Sequence, residues 1–368
     1  MRLLIDARKA FDSGIGTYIR CVMPRVIDLL PDVSFSAMVE PGGAERHDYL
    51  PSKKVTFVEM ESPPLGLLEQ VELRQLTRRT DVFWATSLAH PLFSSVPMIA
   101  TVHDVAQLAT RVHGAGDLLI KAAARLYFRS LRTTARLMFF NSTFTRSEFE
   151  RYVGRIPSSG QVTPLGVDLG WFDHQQNTNM APRARPYFIC VGNRRPHKNL
   201  LMLLQAYTVV KSTVPHDLLL VGKPEGFQAL DTATKSALAD LGDRVRFTGF
   251  LADAELRACV GAADAMVVPS LYEGFGLPAL EAMAAGVPVI AARAAALPEV
   301  CGDCADYFDP TSRESLVQRL RCHTVMSPDA REARIRRGIA RARGFSWDQT
   351  ARLTAEAIAT LLPARRTR

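Results

Sequence analysis

The stretch Asp264–Pro288, DAMVVPSLYEGFGLPALEAMAAGVP, constrains this chain more than any other. Ala265 to Val268 is an apolar run of strand length, and Pro269 stops it. Ser270 to Leu277 carries the small residues and glycines of a tight loop. Pro278 suits the first turn of a helix, where its missing N–H would have no partner anyway. The pattern predicts a helix over Pro278–Ala285, a C-cap at Gly286 and a second strand over Val287–Ala291. A glycine loop therefore sits between a strand and a helix N-terminus. Gly274 and Gly276 let the backbone approach a ligand, and the free amides and helix dipole favour an anion, most simply a phosphate. Glu273 lies on the loop and Glu281 on the helix, so the two carboxylates are placed for different parts of one ligand. Carboxylate oxygens are good acceptors for sugar hydroxyls.

The same βα alternation runs through the whole chain. Arg2–Ala7 reads as a strand, followed by a glycine turn at Asp12–Gly16 and a helix from Tyr18 to Leu30. The turn has two glycines but lacks the third glycine and the acidic partner of a dinucleotide fingerprint, which weighs against an NAD-linked dehydrogenase. Pro97–Val102 is a strand that runs into His103-Asp104, at the strand end where open α/β sheets place ligand chemistry. Residues 174–186 are polar and without periodicity, and read as a linker. The second half restarts with a strand over Tyr187–Val191 and the loop GNRRPHKN before a helix from Leu200. Lys198 immediately before a helix works against the dipole unless an anion lies between them, a local conflict expected at functional sites.

The chain has 368 residues, enough for two domains, and 47% hydrophobic residues, ample for packed cores. No apolar run reaches transmembrane length, and the opening strand is broken at Asp6, unlike a signal peptide, so a cytoplasmic protein is expected. The six cysteines are scattered, and Cys301-Gly-Asp-Cys304 lacks a second pair for a zinc site. The net charge of +8 fits solubility, an anionic membrane face or nucleic acid, but no nucleic-acid-binding motif accompanies it, so a non-enzymatic nucleic-acid-binding role rests on charge alone. Asp117–Thr134 reads as an amphipathic helix with Lys121, Arg125, Arg129 and Arg132 on one face. A crossover helix with a solvated basic face explains it plainly. Contact with anionic lipid headgroups is the sharper reading.

The motif Glu273-x7-Glu281, in the form EGFGLPALEAMAAGVPVI, resembles the signature of GT-B fold, retaining, nucleotide-sugar-dependent glycosyltransferases of family 4, also called glycosyltransferase group 1. The resemblance also takes in Thr-Val-His-Asp-Val at 101–105, Gly-Val-Asp at 166–168 and the loop at 192–199. It implies an α/β fold of two Rossmann-like, doubly wound parallel-sheet domains facing across a cleft. The domains are expected at 1–173 (acceptor side) and 187–345 (nucleotide sugar), with a C-terminal helix, 346–368, returning to the first. It implies that Lys198 and an arginine at 194 or 195, with Arg194 preferred, bind donor phosphates, and that Gly16 is a backbone donor to the diphosphate. Gly274, Phe275, Gly276 and Leu277 would line the donor. Glu281 would hold ribose hydroxyls, Glu273 a hydroxyl of the donor sugar, and His103 its C6 side. Asp104 would be structural or on the acceptor side. No metal and no cofactor beyond the sugar donor is implied. A hexose donor, by family frequency mannose, and a lipid-linked or oligosaccharide acceptor of bacterial surface polysaccharide synthesis complete the expectation.

Overall fold

The computed structural model describes residues 1–64, 66–110, 115–156, 159–173, 185–192, 195–222 and 232–362, with the side chains of 13 and 115 left aside. Arg194, and all but 185 and 186 of the expected linker, lie outside the described residues. The chain forms two compact units. Unit 1 is Met1–Gly166 with Ser346–Arg368, and unit 2 is Val167–Phe345. The first division thus falls at 166 where 173 was expected. Val167 donates its N–H to the Phe345 carbonyl at 3.2 Å, and the turn Leu169–Phe172 packs with the second unit.

In unit 1, strands β1 (Arg2–Asp6), β2 (Ser34–Val39), β3 (Val55–Glu59), β4 (Val82–Ala85), β5 (Met98–Val102), β6 (Ala135–Phe140) and β7 (Ser159–Val162) form one sheet. Its order is β3-β2-β1-β4-β5-β6-β7, and every pairing is parallel. The helices of the first stretch are α1 (Ser13–Leu29), α2 (Leu67–Thr77), α3 (Ala106–Ala109), α4 (Ala115–Thr134) and α5 (Thr143–Val153). Central strands such as β4, Val-Phe-Trp-Ala, are buried along their whole length, as strands covered on both faces must be.

Unit 2 repeats the plan. Its strands are β8 (Tyr187–Val191), β9 (Asp217–Val221), β10 (Val245–Gly249), β11 (Ala265–Val268), β12 (Val289–Ala292) and β13 (Ala305–Phe308). They are all parallel, in the order β10-β9-β8-β11-β12-β13. Helices α6 (Leu200–Val210), α7 (Thr232–Ala239), α8 (Asp253–Gly261), α9 (Leu277–Ala284), α10 (Leu297–Cys301), α11 (Arg313–Thr324) and α12 (Pro328–Arg343) connect and follow them. In both sheets the strand order reverses once, between β1 and β4 and between β8 and β11. Those are the switch points at whose carboxyl ends open α/β sheets bind ligands.

The amino edge of the second sheet is pinned by a buried polar cluster. Asp264 accepts from His216 Nε2 at 2.7 Å, His323 Nε2 at 2.9 Å and Arg331 at 2.9 Å. Burial alone would raise this carboxyl, but the two histidine bonds and the Arg331 charge hold it far below the usual carboxylate range. The cluster joins β11, α11, α12 and the start of β9.

The last helix, α13 (Trp347–Ala359), packs on α1 in unit 1. Arg25 pairs with Asp348 at 2.7 Å, and the Thr350 hydroxyl donates to the Pro164 carbonyl. A Cβ at Gly166 would lie 2.1 Å from the Trp347 nitrogen, so only glycine fits beneath this helix start.

Candidate active site

The loop after β11 leads directly into α9, as its sequence predicts, with the helix at 277–284. Gly276 takes φ 103° at the N-cap, and a side chain there would meet Leu297 at 2.7 Å. Glycine is therefore required by the backbone conformation. The loop after β8, on the other side of the same switch point, ends in the single turn Pro196–Lys198. Asn199 follows at φ 56°, which turns the chain into α6.

These two loops bring Lys198 and Glu273 together across 75 residues of sequence. Lys198 Nζ donates to Glu273 Oε1 at 2.6 Å. The Ser270 hydroxyl donates to the same oxygen at 2.7 Å. The side chains are 20% and 12% exposed, so the pair is shielded but reachable. A cavity of about 30 Å³ lies beneath, lined by Lys198, Ser270, Pro269, Gly192 and Cys190 among others. Burial pushes the Cys190 thiol up to about 12, so it stays protonated. The site's lysine is thus held by a carboxylate whose own position is set by a serine. Ser270 carried no signal in the sequence beyond its small size.

Three neighbouring strands of this sheet end in glycine. The Gly192 amide donates to Val221 O at 3.0 Å, and the Gly222 amide to Gly249 O at 3.1 Å. A Cβ at Gly222 would come within 2.3 Å of Gly192 O. The carboxyl edge of β8–β10 is therefore a shelf of bare backbone, continuous with the Lys198 loop.

Glu281 lies one turn into α9. Among the described residues its carboxylate makes no hydrogen bond. Burial raises it to about 8, reinforced by the charges of Asp253 and Asp168 and opposed by Arg257. Asp168 belongs to the Gly-Val-Asp segment, and its side chain accepts from the Gly170 amide at 2.9 Å. The sequence gives no hint that Asp168, Asp253 and Arg257 surround Glu281.

In unit 1, His103 follows β5 as expected. Its Nε2 bonds the Thr86 carbonyl at 3.1 Å, and its ring meets Tyr18 edge-on at 4.9 Å. Burial lowers its pKa to about 4, so the ring is neutral. A carbonyl only accepts, which fixes the proton on Nε2 and leaves Nδ1 as a lone-pair acceptor. The ring is braced from behind: the Thr86 hydroxyl donates to the Asp6 carbonyl, and Asn141 Nδ2 donates to the His103 carbonyl at 2.8 Å. Asp6 and Glu69 both pair with the buried Arg8, at 2.7 and 2.8 Å. Asp104 Oδ1 accepts from the Ala106 amide at 2.8 Å, a local turn bond at the start of α3.

Gly16 requires a correction. The helix α1 starts at 13 and not at 18, so Gly16 already lies inside it. Its amide donates to the Asp12 carbonyl at 2.7 Å and is not a free donor. It is glycine because a Cβ would sit 2.4 Å from Ala10 O. The amides at 13–15 are the ones a helix leaves without an intrahelical acceptor. A Cβ at Gly14 would meet nothing within 4 Å, so nothing in the chain itself demands glycine there.

The family described as Glycosyl transferases group 1 matches residues 172–335. A D-inositol 3-phosphate glycosyltransferase of Salinispora tropica is 32% identical over 363 residues, covering 89% of this chain and 72% of that protein. The chain belongs to the glycosyl transferases group 1 family. The O-antigen chain mannosyltransferase B of Escherichia coli is 33% identical over 228 residues, 58% of either chain. The MMP alpha-(1->4)-mannosyltransferase of Mycolicibacterium hassiacum is 36% identical over 166 residues, 38% of its length. The chain thus spans well under two thirds of these last two relatives. Among solved structures, Anabaena Alr3699/HepE in complex with UDP-glucose superposes with a TM-score of 0.78 at 18% identity, covering 98% of this chain and 100% of that one. This group 1 chain therefore has the GT-B fold, and its relatives lend no support to a dehydrogenase or a nucleic-acid-binding role.

Proposed function

We propose that this glycosyltransferase moves a hexose, mannose by analogy with its relatives, from a nucleoside diphosphate to an acceptor hydroxyl with retention at the anomeric carbon. The observation that carries the reading is the Lys198–Glu273 pair at the switch point of unit 2, beside the N-terminus of α9. The leaving group is an anionic diphosphate, so catalysis rests on stabilising charge that grows there. Lys198 supplies a cation, and the backbone around Gly274, Phe275, Gly276 and Leu277 supplies fixed dipoles. An arriving diphosphate draws the ammonium away from Glu273, whose carboxylate then accepts a hydroxyl of the donor sugar. Glu281 accepts the two ribose hydroxyls, and the base lies on the glycine shelf at 192, 222 and 249. His103 Nδ1 accepts a hydroxyl on the far side of the sugar, and the amides at 13–15 take the place expected of Gly16. Arg194 or Arg195 adds a second cation at the phosphates. The departing phosphate takes the acceptor proton, so neither a protein base nor a metal has a step. The UDP-glucose bound by the Anabaena structure supports a nucleotide-sugar donor, and the O-antigen relative supports a lipid-linked or oligosaccharide acceptor of surface polysaccharide synthesis.

Thermal shift against UDP-, GDP- and ADP-sugars identifies the donor, since a ligand at 100 times Kd stabilises by about 2.7 kcal/mol. With that donor, Lys198→Ala lowers kcat by about 10²–10³, as for the loss of one transition-state donor. Unchanged kcat removes the phosphate role, and an inverted product anomer removes the retaining mechanism.

A further inference from the structure

Strand β4 stops at Ala85, and the next residue, Thr86, is fully buried. A buried hydroxyl needs a partner. Thr86 finds one outside its own strand: its hydroxyl donates to the carbonyl of Asp6, the last residue of β1. Asp6 is itself fixed, since its carboxylate accepts from Arg8 Nε at 3.0 Å and from Arg8 Nη2 at 2.7 Å, and both side chains are buried. The hydroxyl bond therefore anchors the first residue past β4 to a rigid neighbour. On the other side of β4 lies β5, which leads into His103. There the Thr86 carbonyl accepts from His103 Nε2 at 3.1 Å. One residue thus ties together the ends of three adjacent strands.

The histidine ring is held on a second side by Tyr18, edge-on with centroids 4.9 Å apart, and the Tyr18 hydroxyl is tied to Thr101 of β5 at 3.2 Å. Burial keeps the ring neutral, so it carries one N–H, and the carbonyl partner claims that N–H for Nε2. Among the described residues Nδ1 meets no hydrogen-bond partner. It has a lone pair and nothing to donate. An O–H satisfies such an atom. A carboxylate brings it only lone pairs and negative charge, and a methyl group brings it nothing.

We propose that Thr86 is a positioning residue that sets sugar specificity. By anchoring the carbonyl that holds His103 as the Nε2–H tautomer, it makes the site take a sugar with a hydroxyl at C6 and refuse the corresponding uronic acid and 6-deoxy sugar. The inference rests on the donor reading above, in which His103 lies on the C6 side of the sugar. Thr86 touches no substrate atom and acts only through the ring. Selection follows from which ring nitrogen carries the proton, because the opposite tautomer would present an N–H at Nδ1 and donate to a carboxylate.

Two measurements on the full chain test it. In nitrogen NMR of the histidine-labelled free protein, the signals missing from His103→Gln identify His103. They are expected to show one tautomer, protonated at Nε2, in the parent and in Thr86→Ser. Thr86→Val, which keeps the branched shape and loses the hydroxyl, is expected to show both tautomers. A proton on Nδ1 in the parent, or a Thr86→Val spectrum like the parent's, overturns the proposal. Isothermal titration then compares UDP-glucose with UDP-glucuronate, GDP-mannose with GDP-rhamnose, and each with its bare nucleoside diphosphate. In the parent the hexose is expected to bind at least about tenfold more tightly than its uronic or 6-deoxy counterpart. Thr86→Val weakens the hexose about tenfold, leaves UDP and GDP unchanged, and Thr86→Ser restores the parent value. Partial unfolding would instead lower the stoichiometry at an unchanged Kd. Equal affinity for both members of a pair, or a Thr86→Val loss shared by the bare nucleotides, overturns the proposal. A parent that shows the Nε2–H tautomer but binds neither UDP nor GDP overturns the donor reading, and the sugar selection falls with it.

Discussion

Glu281 gives the sharpest test of the donor site. Its carboxyl is raised to about 8 by burial and by Asp253 and Asp168. Two ribose hydroxyls need two acceptor oxygens, and only the ionised form offers both. With a pKa near 8, about 3% is ionised at pH 6.5 and about 90% at pH 9. The donor dissociation constant should therefore fall about 30-fold between those pH values. The donor should be the intact nucleotide sugar, because its diphosphate is esterified at both ends and does not titrate in this window. Isothermal titration across the range reads the effect directly. Glu281→Gln should bind weakly and without pH dependence, and Glu281→Ala should raise the donor KM strongly. The same shift makes a stability statement of definite sign. A carboxyl whose folded pKa exceeds its unfolded value destabilises the fold progressively from about pH 4.5 up to about 8. Glu281→Gln should thus gain Tm over the parent at pH 9 and lose most of that gain at pH 5. A parent enzyme whose donor affinity is flat from pH 6.5 to 9 would refute the assignment of Glu281 to the ribose.

Asp264→Asn should cost about 1–3 kcal/mol, because it breaks a half-buried, hydrogen-bonded charge cluster and leaves Arg331 unbalanced, and calorimetry should show it as a lowered transition of unit 2. Asp264 has a depressed folded pKa, so its contribution is present above the unfolded value near 4 and lost as pH falls below it, and the parent–variant gap should close towards pH 2. Gly16→Ala should destabilise by about 1–3 kcal/mol through its clash with Ala10 O, measured by denaturant unfolding. Gly14→Ala should leave stability nearly unchanged while raising the donor KM, and an unchanged KM would remove the amides at 13–15 from the donor site.

What could be read from the residues follows the range over which the physics acts. Strand–helix alternation and the capped turn at Gly276–Pro278 are local, so the fold class and the α9 loop stood out in the string. The strand order is non-local, and neither the residues nor the family resemblance spelled it out. Gly16 misled because a glycine at a helix start fits both ligand approach and close packing. The choice lies with Ala10 O, which the chain brings over the helix from outside it. Lys198 announced itself by opposing a helix dipole, but its pairing with Glu273 and Ser270 depends on two loops meeting at a switch point. The basic face of α4 was legible from its period, whereas the hydrogen bonds by which Gln70 ties α2 to α4 and to the loop after β4 join segments distant in sequence.

The hydrogen bond between Val167 and Phe345 means that unit 2 enters and leaves the chain at adjacent points. Genetically it is a cassette: residues 167–345 can be cut out with both new ends already side by side, and the polypeptide 1–166 could be resealed to 346–368 by a short bridge. The excised piece would carry Lys198, Glu273, Glu281 and the glycine shelf. Nucleotide recognition should therefore survive in half a molecule, whereas deleting the final helix would strip α1 of its cover and damage the other half.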